Sequence, residues 1–308
     1  MNSTHKDEEL ILPNNTHDIM RGMKVSFLVP VYNEDKAGPT AVRALKIFLD
    51  KLGGVEFEII VVNDGSSDKS AENLAQVSGI RLINHPYNKG YGASLKTAMK
   101  AAQYDWVFFF DGDGQPRVED IPQFFKYTGE YDMIVGHRIN STSPILRQPG
   151  KKLLLFLANY MADKHIPDLN SGFRLIRKSD MERVRHLLPD SFSLTTTITL
   201  AFLKAGLNIK YLPITPNKRM TGNSTVKPRH AVRMFFLILR TITLFSPLRV
   251  FMPVVVFLWA VLGLSLVYDI YNVHITNTTV VLFMSSLIIF FFAMIADQIS
   301  AIRREIKP

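Results

Sequence analysis

Two long apolar stretches close the 308-residue chain, residues 250–271 and 277–296, and they restrict what it can fold into more than any other feature. The first carries one charge, Asp269, near its end, and the second carries none. About twenty residues rising ~1.5 Å each span roughly 30 Å, the thickness of a bilayer's hydrocarbon core. The connecting residues 272–276 hold no Lys or Arg. Arg240 and Arg249 precede the first stretch, and Arg303, Arg304 and Lys307 follow the second. The positive-inside rule then predicts an integral membrane, two-pass protein with both termini and the large N-terminal region cytoplasmic. Buried helices of a soluble protein are the competing reading, and they do not account for the charges at both outer ends.

The rest of the chain reads as one globular unit with a basic end. The net charge is +9, and residues 191–268 contain nine Lys and Arg and no Asp or Glu. Nucleic acid would suit such a block in isolation. Because it runs directly into a membrane span, membrane lipids or a lipid phosphate are the expected partners, with no nucleic acid. Positive-inside bias alone is the plainer explanation. Arg229, Arg233 and Arg240 fall in a narrow arc at ~100° per residue, with Val232, Phe235, Phe236, Leu239 and Ile242 over much of the rest. That pattern predicts an interfacial amphipathic helix over 229–249. Residues 151–164 are a second candidate. Residues 1–22 are polar, unlike a signal peptide, and are expected to form a mobile tail. The absence of cysteine excludes disulfides and thiolate chemistry.

Within residues 23–228, apolar runs alternate with helical patterns. Strands are predicted over 25–31, 57–62, 80–83 and 106–110, and helices over 40–52, 70–77 and 92–102. Such alternation predicts an α/β domain with a parallel sheet covered by helices. Ligands of these sheets bind beyond the carboxyl ends of the strands. Polar clusters stand at three such ends: Tyr32-Asn33-Glu34, Asp64-Gly65-Ser66-Ser67-Asp68 and Asp111-Gly112-Asp113-Gly114-Gln115.

Asp111 and Asp113 offer two carboxylates that can face a hard divalent cation such as Mg2+ or Mn2+, with Gln115 as a neutral oxygen donor. A cation there would bridge two phosphates and offset charge on a departing diphosphate. Glycines at 112 and 114 allow close backbone approach. A solvated turn is the alternative for any lone Asp-x-Asp. Asp64 can accept a bond from a base ring N–H, or serve a turn, while Ser66, Ser67 and Asp68 suit helix capping. The Asn88-Lys89-Gly90-Tyr91-Gly92-Ala93 run enters a helix and can offer N–H groups and Lys89 to phosphate.

Together, Val29-Pro30-Val31-Tyr32-Asn33-Glu34, Val62-Asn63-Asp64-Gly65-Ser66-Ser67-Asp68, Asn88-Lys89-Gly90 and Asp111-Gly112-Asp113-Gly114-Gln115 resemble glycosyltransferase family 2 over roughly residues 23–220. Asp168-Leu169-Asn170-Ser171-Gly172-Phe173-Arg174 and the two C-terminal spans resemble the polyprenyl-phosphate group, which contains dolichol-phosphate mannose and glucose synthases. The resemblance implies a GT-A type Rossmann-like domain with interfacial amphipathic helices and two C-terminal transmembrane helices. Their boundaries are a domain over 23–228, spans over 250–271 and 277–297 and a cytoplasmic tail over 298–308. It implies that Pro30, Tyr32, Glu34, Asp64, Lys89, Gly90, Asp111 and Gly112 bind a nucleotide diphosphate sugar donor, and that Asp111, Asp113 and Gln115 hold the metal. Arg138, Arg147, Arg219 and Ser224 are implied for the acceptor phosphate, and Asp168 for orienting acceptor or sugar. Many relatives read Gly-x-Ser-Lys where this chain has Gly222-Asn223-Ser224-Thr225, so Lys218 and Lys227 are the candidates to supply that charge.

The expected reaction is inverting, metal-dependent transfer of one hexose, of the GDP-mannose or UDP-glucose type, to a polyprenyl phosphate. Asp111, Asp113, Arg138 and Asp168 would act at the reacting centre. Transfer to another lipid such as diacylglycerol, or a non-catalytic membrane scaffold, are the alternatives. The oligomeric state is open, a homo-oligomer included.

Overall fold

The computed structural model describes residues 21–139, 159, 166–191, 193–217, 243 and 246–305. The expected amphipathic helices over 151–164 and 229–249 therefore lie outside the described residues almost entirely, as do Arg147, Arg219, Ser224 and the tail before residue 21.

In chain order the elements are β1 (Met23–Val31), α1 (Ala37–Leu52), β2 (Val55–Asn63), α2 (Ser70–Ala75), β3 (Arg81–Asn84), α3 (Tyr91–Ala101), β4 (Trp106–Phe109), α4 (Pro122–Phe125), β5 (Met133–Arg138), β6 (Arg174–Arg177), α5 (Lys178–Val184), α6 (Leu194–Lys204), β7 (Ile209–Ile214), α7 (Pro247–Tyr271) and α8 (Asn277–Glu305). α1 begins three residues before the periodicity predicts, because Pro39 is tolerated in a first helical turn, where its missing N–H has no partner to lose. It stops where predicted, at Gly53 and Gly54, both with positive φ.

The seven strands form one sheet in the order β3-β2-β1-β4-β6-β5-β7. Side chains alternate across it. Phe27, Val29 and Ile59 join Val42, Leu45, Phe108 and Phe173 on one face, and Leu28, Ile60 and Val62 join Leu95, Met99, Phe109 and Phe202 on the other. Phe108 anchors the first core, with Phe27, Phe124 and Phe173 at ring distances of 5.3, 5.2 and 4.8 Å.

The sheet is mixed, which corrects the expectation of parallel strands throughout. β6 runs antiparallel to both β4 and β5. Its direction has a simple cause: the chain leaves β5 at the edge where β4 ends and re-enters β6 from that same edge. Arg174, the first residue of β6, pairs with Phe109 and with Val135. The segment leading into β6 is thereby delivered beside Asp111 and Arg138.

α7 and α8 are each long and apolar enough to cross a membrane. They pack on each other through Phe251–Phe292 and Trp259–Phe290 ring contacts at 5.6 and 6.0 Å, and leave Phe257, Leu264, Ile288 and Phe292 exposed. Asp269, buried at the turn, accepts the Thr276 N–H at 3.0 Å and so closes the hairpin. The second helix does not stop near residue 297; it continues to Glu305, through most of the segment expected to be a tail. Its C-terminal end meets the α/β domain, where the His186 Nε2 donates to the Arg303 carbonyl at 3.0 Å.

Candidate active site

The carboxyl ends of β1, β2 and β4 converge as the sequence predicts, and side chains stitch the first two together. The Asn33 N–H donates to Ser66 Oγ at 3.0 Å, and Asn33 Oδ1 accepts the Ser67 N–H at 2.9 Å. Asn33 itself has φ of 52°, a left-handed conformation that Asn tolerates better than most residues. Glu34 and Asp35 donate their N–H groups to Ser70 and Asp68. The serines and Asp68 thus fix the β1 loop. Only Asp68 resembles the expected cap, taking the Ser70 N–H at 2.9 Å. Tyr32 stands 46% exposed beside this seam, so its ring is available to a flat ligand.

Asp64 departs from the simple expectation. It is buried, and its carboxylate binds His85 Nδ1 at 2.7 Å, the Lys89 N–H at 2.9 Å and the Gly90 N–H at 2.8 Å. Burial pushes its pKa up, but the His85 bond and the two backbone N–H groups outweigh this and leave it below the ordinary value. Two consequences correct the sequence reading. The Lys89 and Gly90 N–H groups are directed at Asp64, not at a phosphate. Asp64 acts by folding the loop that enters α3. Gly65 lies beneath this loop, where a Cβ would meet the Tyr87 and Asn88 backbone.

At the end of β4, Asp111 and Asp113 sit together. Tyr91 donates to Asp111 Oδ1 at 2.8 Å, and the Gln115 N–H donates to Asp113 Oδ1 at 3.0 Å. Burial, reinforced by the neighbouring Asp113 charge, raises Asp111 to about 6. The same burial, with Asp111 beside it, holds the Tyr91 hydroxyl well above its usual range and therefore a proton donor. Gly112 is required because a Cβ would strike Val31 and the Pro30 carbonyl.

Two neighbouring carboxylates match a hard divalent cation, which relieves their repulsion. Among the described residues no third Asp, Glu, His or Cys joins them. The remaining ligands would come from Gln115, water and a diphosphate.

The third wall comes from the segment before β6. Asp168, 3% exposed, receives Arg138 Nε at 2.8 Å and Nη2 at 3.0 Å, plus the Asn170 N–H at 3.1 Å. This two-pronged pair aims Arg138, whose charge reaches Asp111 and Asp113. Nε and Nη2 being so used, the Nη1 side is the one no described residue engages. Asp168 therefore orients Arg138, the role the bond geometry supports over direct contact with sugar. Asn217 donates to the Gln115 carbonyl at 2.9 Å, bringing the chain just ahead of Arg219 to the same rim.

Several residues here carried no individual signal in the sequence. Tyr91 and Arg174 stood inside recognised motifs without an assigned task, and His85 stood in none. Gly172 is the sharpest case, since a Cβ there would fall onto the Asp111 carboxylate. Gly172→Ala is expected to displace Asp111 and cut turnover by about 10²-fold, the scale of a 1 Å misplacement of a reacting group. Steady-state rates alongside a thermal melt check this; an active, normally stable variant would show that the contact yields easily.

The comparisons agree with this architecture. The structure resembles glucosyl-3-phosphoglycerate synthase from Mycobacterium tuberculosis in complex with phosphoglyceric acid, with TM-score 0.59 at 16% identity, covering 77% of this chain and 85% of that one. The complex of the same enzyme with Mn2+, uridine diphosphate and glucosyl-3-phosphoglycerate gives TM-score 0.58 at 17% identity, covering 78% and 85%. In sequence, an uncharacterized protein of Methanocaldococcus jannaschii, MJ1222, is 29% identical over 203 residues, 62% of this chain and 80% of that one. A model described as GtrB C-terminal hairpin matches residues 246–302, the α7–α8 pair. The model described as Glycosyl transferase family 2 matches residues 26–185, just over half of the chain and all three loops that carry the acidic cluster. The chain belongs to glycosyltransferase family 2.

Proposed function

We propose that this glycosyltransferase moves a single hexose from a nucleotide diphosphate sugar to a polyprenyl phosphate at the cytoplasmic face of a membrane, with inversion at the anomeric carbon. One observation carries the reading: the apolar hairpin is hydrogen-bonded to the domain that bears the acidic cluster, which supports a site that works beside a bilayer. The match of residues 246–302 to the GtrB C-terminal hairpin supports it. Mn2+ and uridine diphosphate in the related enzyme's complex support a metal and a nucleotide donor.

In this reading Pro30, Tyr32 and Glu34 flank the base and ribose, Asp64 shapes the loop carrying Lys89 and Gly90, and Gly112 lets the diphosphate approach the backbone. Asp111, Asp113 and Gln115 would hold Mg2+ or Mn2+, which when bound neutralises charge on the diphosphate. Tyr91 keeps Asp111 turned toward that position. A lipid phosphate is already anionic near neutral pH, so positioning and charge neutralisation dominate over general-base help. One acceptor oxygen attacks the anomeric carbon while the sugar–diphosphate bond breaks in line, and the electron pair leaves with the nucleoside diphosphate. Arg138, held by Asp168, receives the acceptor phosphate through its remaining edge, together with Arg147, Arg219 and Ser224.

The test is a donor and acceptor screen with the full chain in lipid nanodiscs. UDP- and GDP-sugars are offered with polyprenyl phosphate, diacylglycerol or 3-phosphoglycerate, and products are resolved by mass. The expected product is a one-hexose polyprenyl phosphate, labile to acid, stable to mild alkali and lost with excess chelator. Glycosylation of diacylglycerol or 3-phosphoglycerate alone would overturn the acceptor assignment, and full activity in chelator would overturn the metal.

A further inference from the structure

Residues 185–190 touch both ends of the molecule. On one side His186 Nε2 donates to the Arg303 carbonyl, near the end of α8. Because a carbonyl only accepts, this proton is on Nε2. Leu187 and Leu188 are buried in the same core cluster on which Val250, in the first turn of α7, packs. One helix of the hairpin thus bonds this short segment directly, and the other packs on the core cluster to which the segment contributes Leu187 and Leu188.

On its other side the segment closes over the start of α3. Lys96 donates to the Leu188 carbonyl and to Asp190 Oδ1, the latter at 2.8 Å. The Asp190 carbonyl accepts the Ala93 N–H at 3.1 Å. Gly90 and Gly92 lie so close that a Cβ on either would collide with the Pro189–Asp190 backbone. That turn of α3 carries Tyr91, whose hydroxyl holds Asp111, and it starts from the Lys89 and Gly90 N–H groups held by Asp64.

We propose that residues 185–190 form a strap through which the seating of the membrane hairpin sets the geometry of the acidic site, with Lys96 and His186 as its positioning residues. Each link is a direct contact, and the two glycines remove any slack between strap and helix. A hairpin seated on His186 holds the strap down, and the strap holds the Tyr91 turn against Asp111. A hairpin pulled away frees the Ala93 N–H and lets Tyr91 drift. Lys96 is 21% exposed and Asp190 67%, so the staple is open to substitution without opening the core.

The idea rests on the proposed metal and donor site only for its kinetic readout; amide exchange reads the coupling with no ligand present. The full chain is placed in nanodiscs as His186→Ala, Lys96→Met, their double variant and the milder Asp190→Asn. Each single variant is expected to speed exchange of the amides at 89–94 by about tenfold, with strand residues 55–63 unchanged. The double variant should do no more than the stronger single one, because both release the same strap. The KM for the nucleotide-sugar donor should rise severalfold with the acceptor KM unaltered, and Lys96→Arg should restore it. Faster exchange confined to 185–190, or effects that multiply in the double variant, would overturn the coupling. Should Lys96→Met loosen residues 55–63 as well, Asp190→Asn decides by the same criterion. If the parent protein transfers no sugar, the enzymatic reading fails and the exchange result still judges the strap.

Discussion

Asp113→Ala is expected to lower sugar transfer by about 10³-fold, the order seen when one element of charge stabilisation is removed from an active site. The fold should tolerate the change. Asp113 lies beyond the last residue of β4, and its Oδ1 accepts the Gln115 N–H within the same turn. Losing a local bond of this kind costs about 1 kcal/mol. Circular dichroism and the melting temperature should therefore stay near the parent's while activity disappears. The direction of the loss is set by electrostatics. Asp111 is raised to about 6 by burial and by Asp113, so removing Asp113 relaxes its neighbour and leaves one carboxylate where the pair would hold a divalent cation. Retention of full, chelator-sensitive turnover by Asp113→Ala would place the metal elsewhere.

The second large effect is expected at Arg174, which is 0% exposed. Its guanidinium binds the Ser171 carbonyl at 2.5 Å, the Leu169 carbonyl at 3.0 Å and Thr199 Oγ1 at 2.8 Å. These bonds gather the segment that presents Asp168 to Arg138 and Gly172 to Asp111. Burial drives the Arg174 pKa down from its usual range to about 10, the direction expected of a charge that its neighbours do not fully offset. At ~1.4 kcal/mol per unit, holding that charge costs about 3 kcal/mol. Arg174→Met releases this cost but takes the donor from two carbonyls, at about 1–3 kcal/mol each, while the Thr199 hydroxyl keeps its bond to the Thr195 carbonyl. The two effects oppose, so stability should fall by no more than a few kcal/mol. Activity should fall much further, by about 10²-fold or more, because the segment that positions Arg138 and accommodates Asp111 loses its fixed shape. Arg174→Lys keeps a charge but not the planar fork, and should rescue little. Melting curves and turnover measured on the same samples separate the two effects; a parallel loss of both would assign Arg174 to stability alone.

The convergence of loops at the carboxyl ends of β1, β2 and β4 was legible before any coordinates, because apolar periodicity and chain punctuation are local properties. The Asp111–Asp113 pair and the hairpin were legible for the same reason: each is a run of adjacent residues. Even so, α8 outran its predicted end, since Arg303 continues a helix whose later residues no longer read as membrane. The strands after residue 130, β5, β6 and β7, were not among those the apolar periodicity predicts.

Sequence alone determined that an α/β domain with acidic strand ends is followed by two helices long enough for a bilayer, since hydropathy and spacing act over neighbouring residues. Tertiary structure decided the reversed direction of β6, the diversion of the Lys89 and Gly90 N–H groups to Asp64, the Tyr91–Asp111 bond and the seat of α8 on His186. Those features join residues as many as 117 positions apart. Which distant donors and acceptors meet is set by strand register and packing, where every buried polar group must find its partner at once.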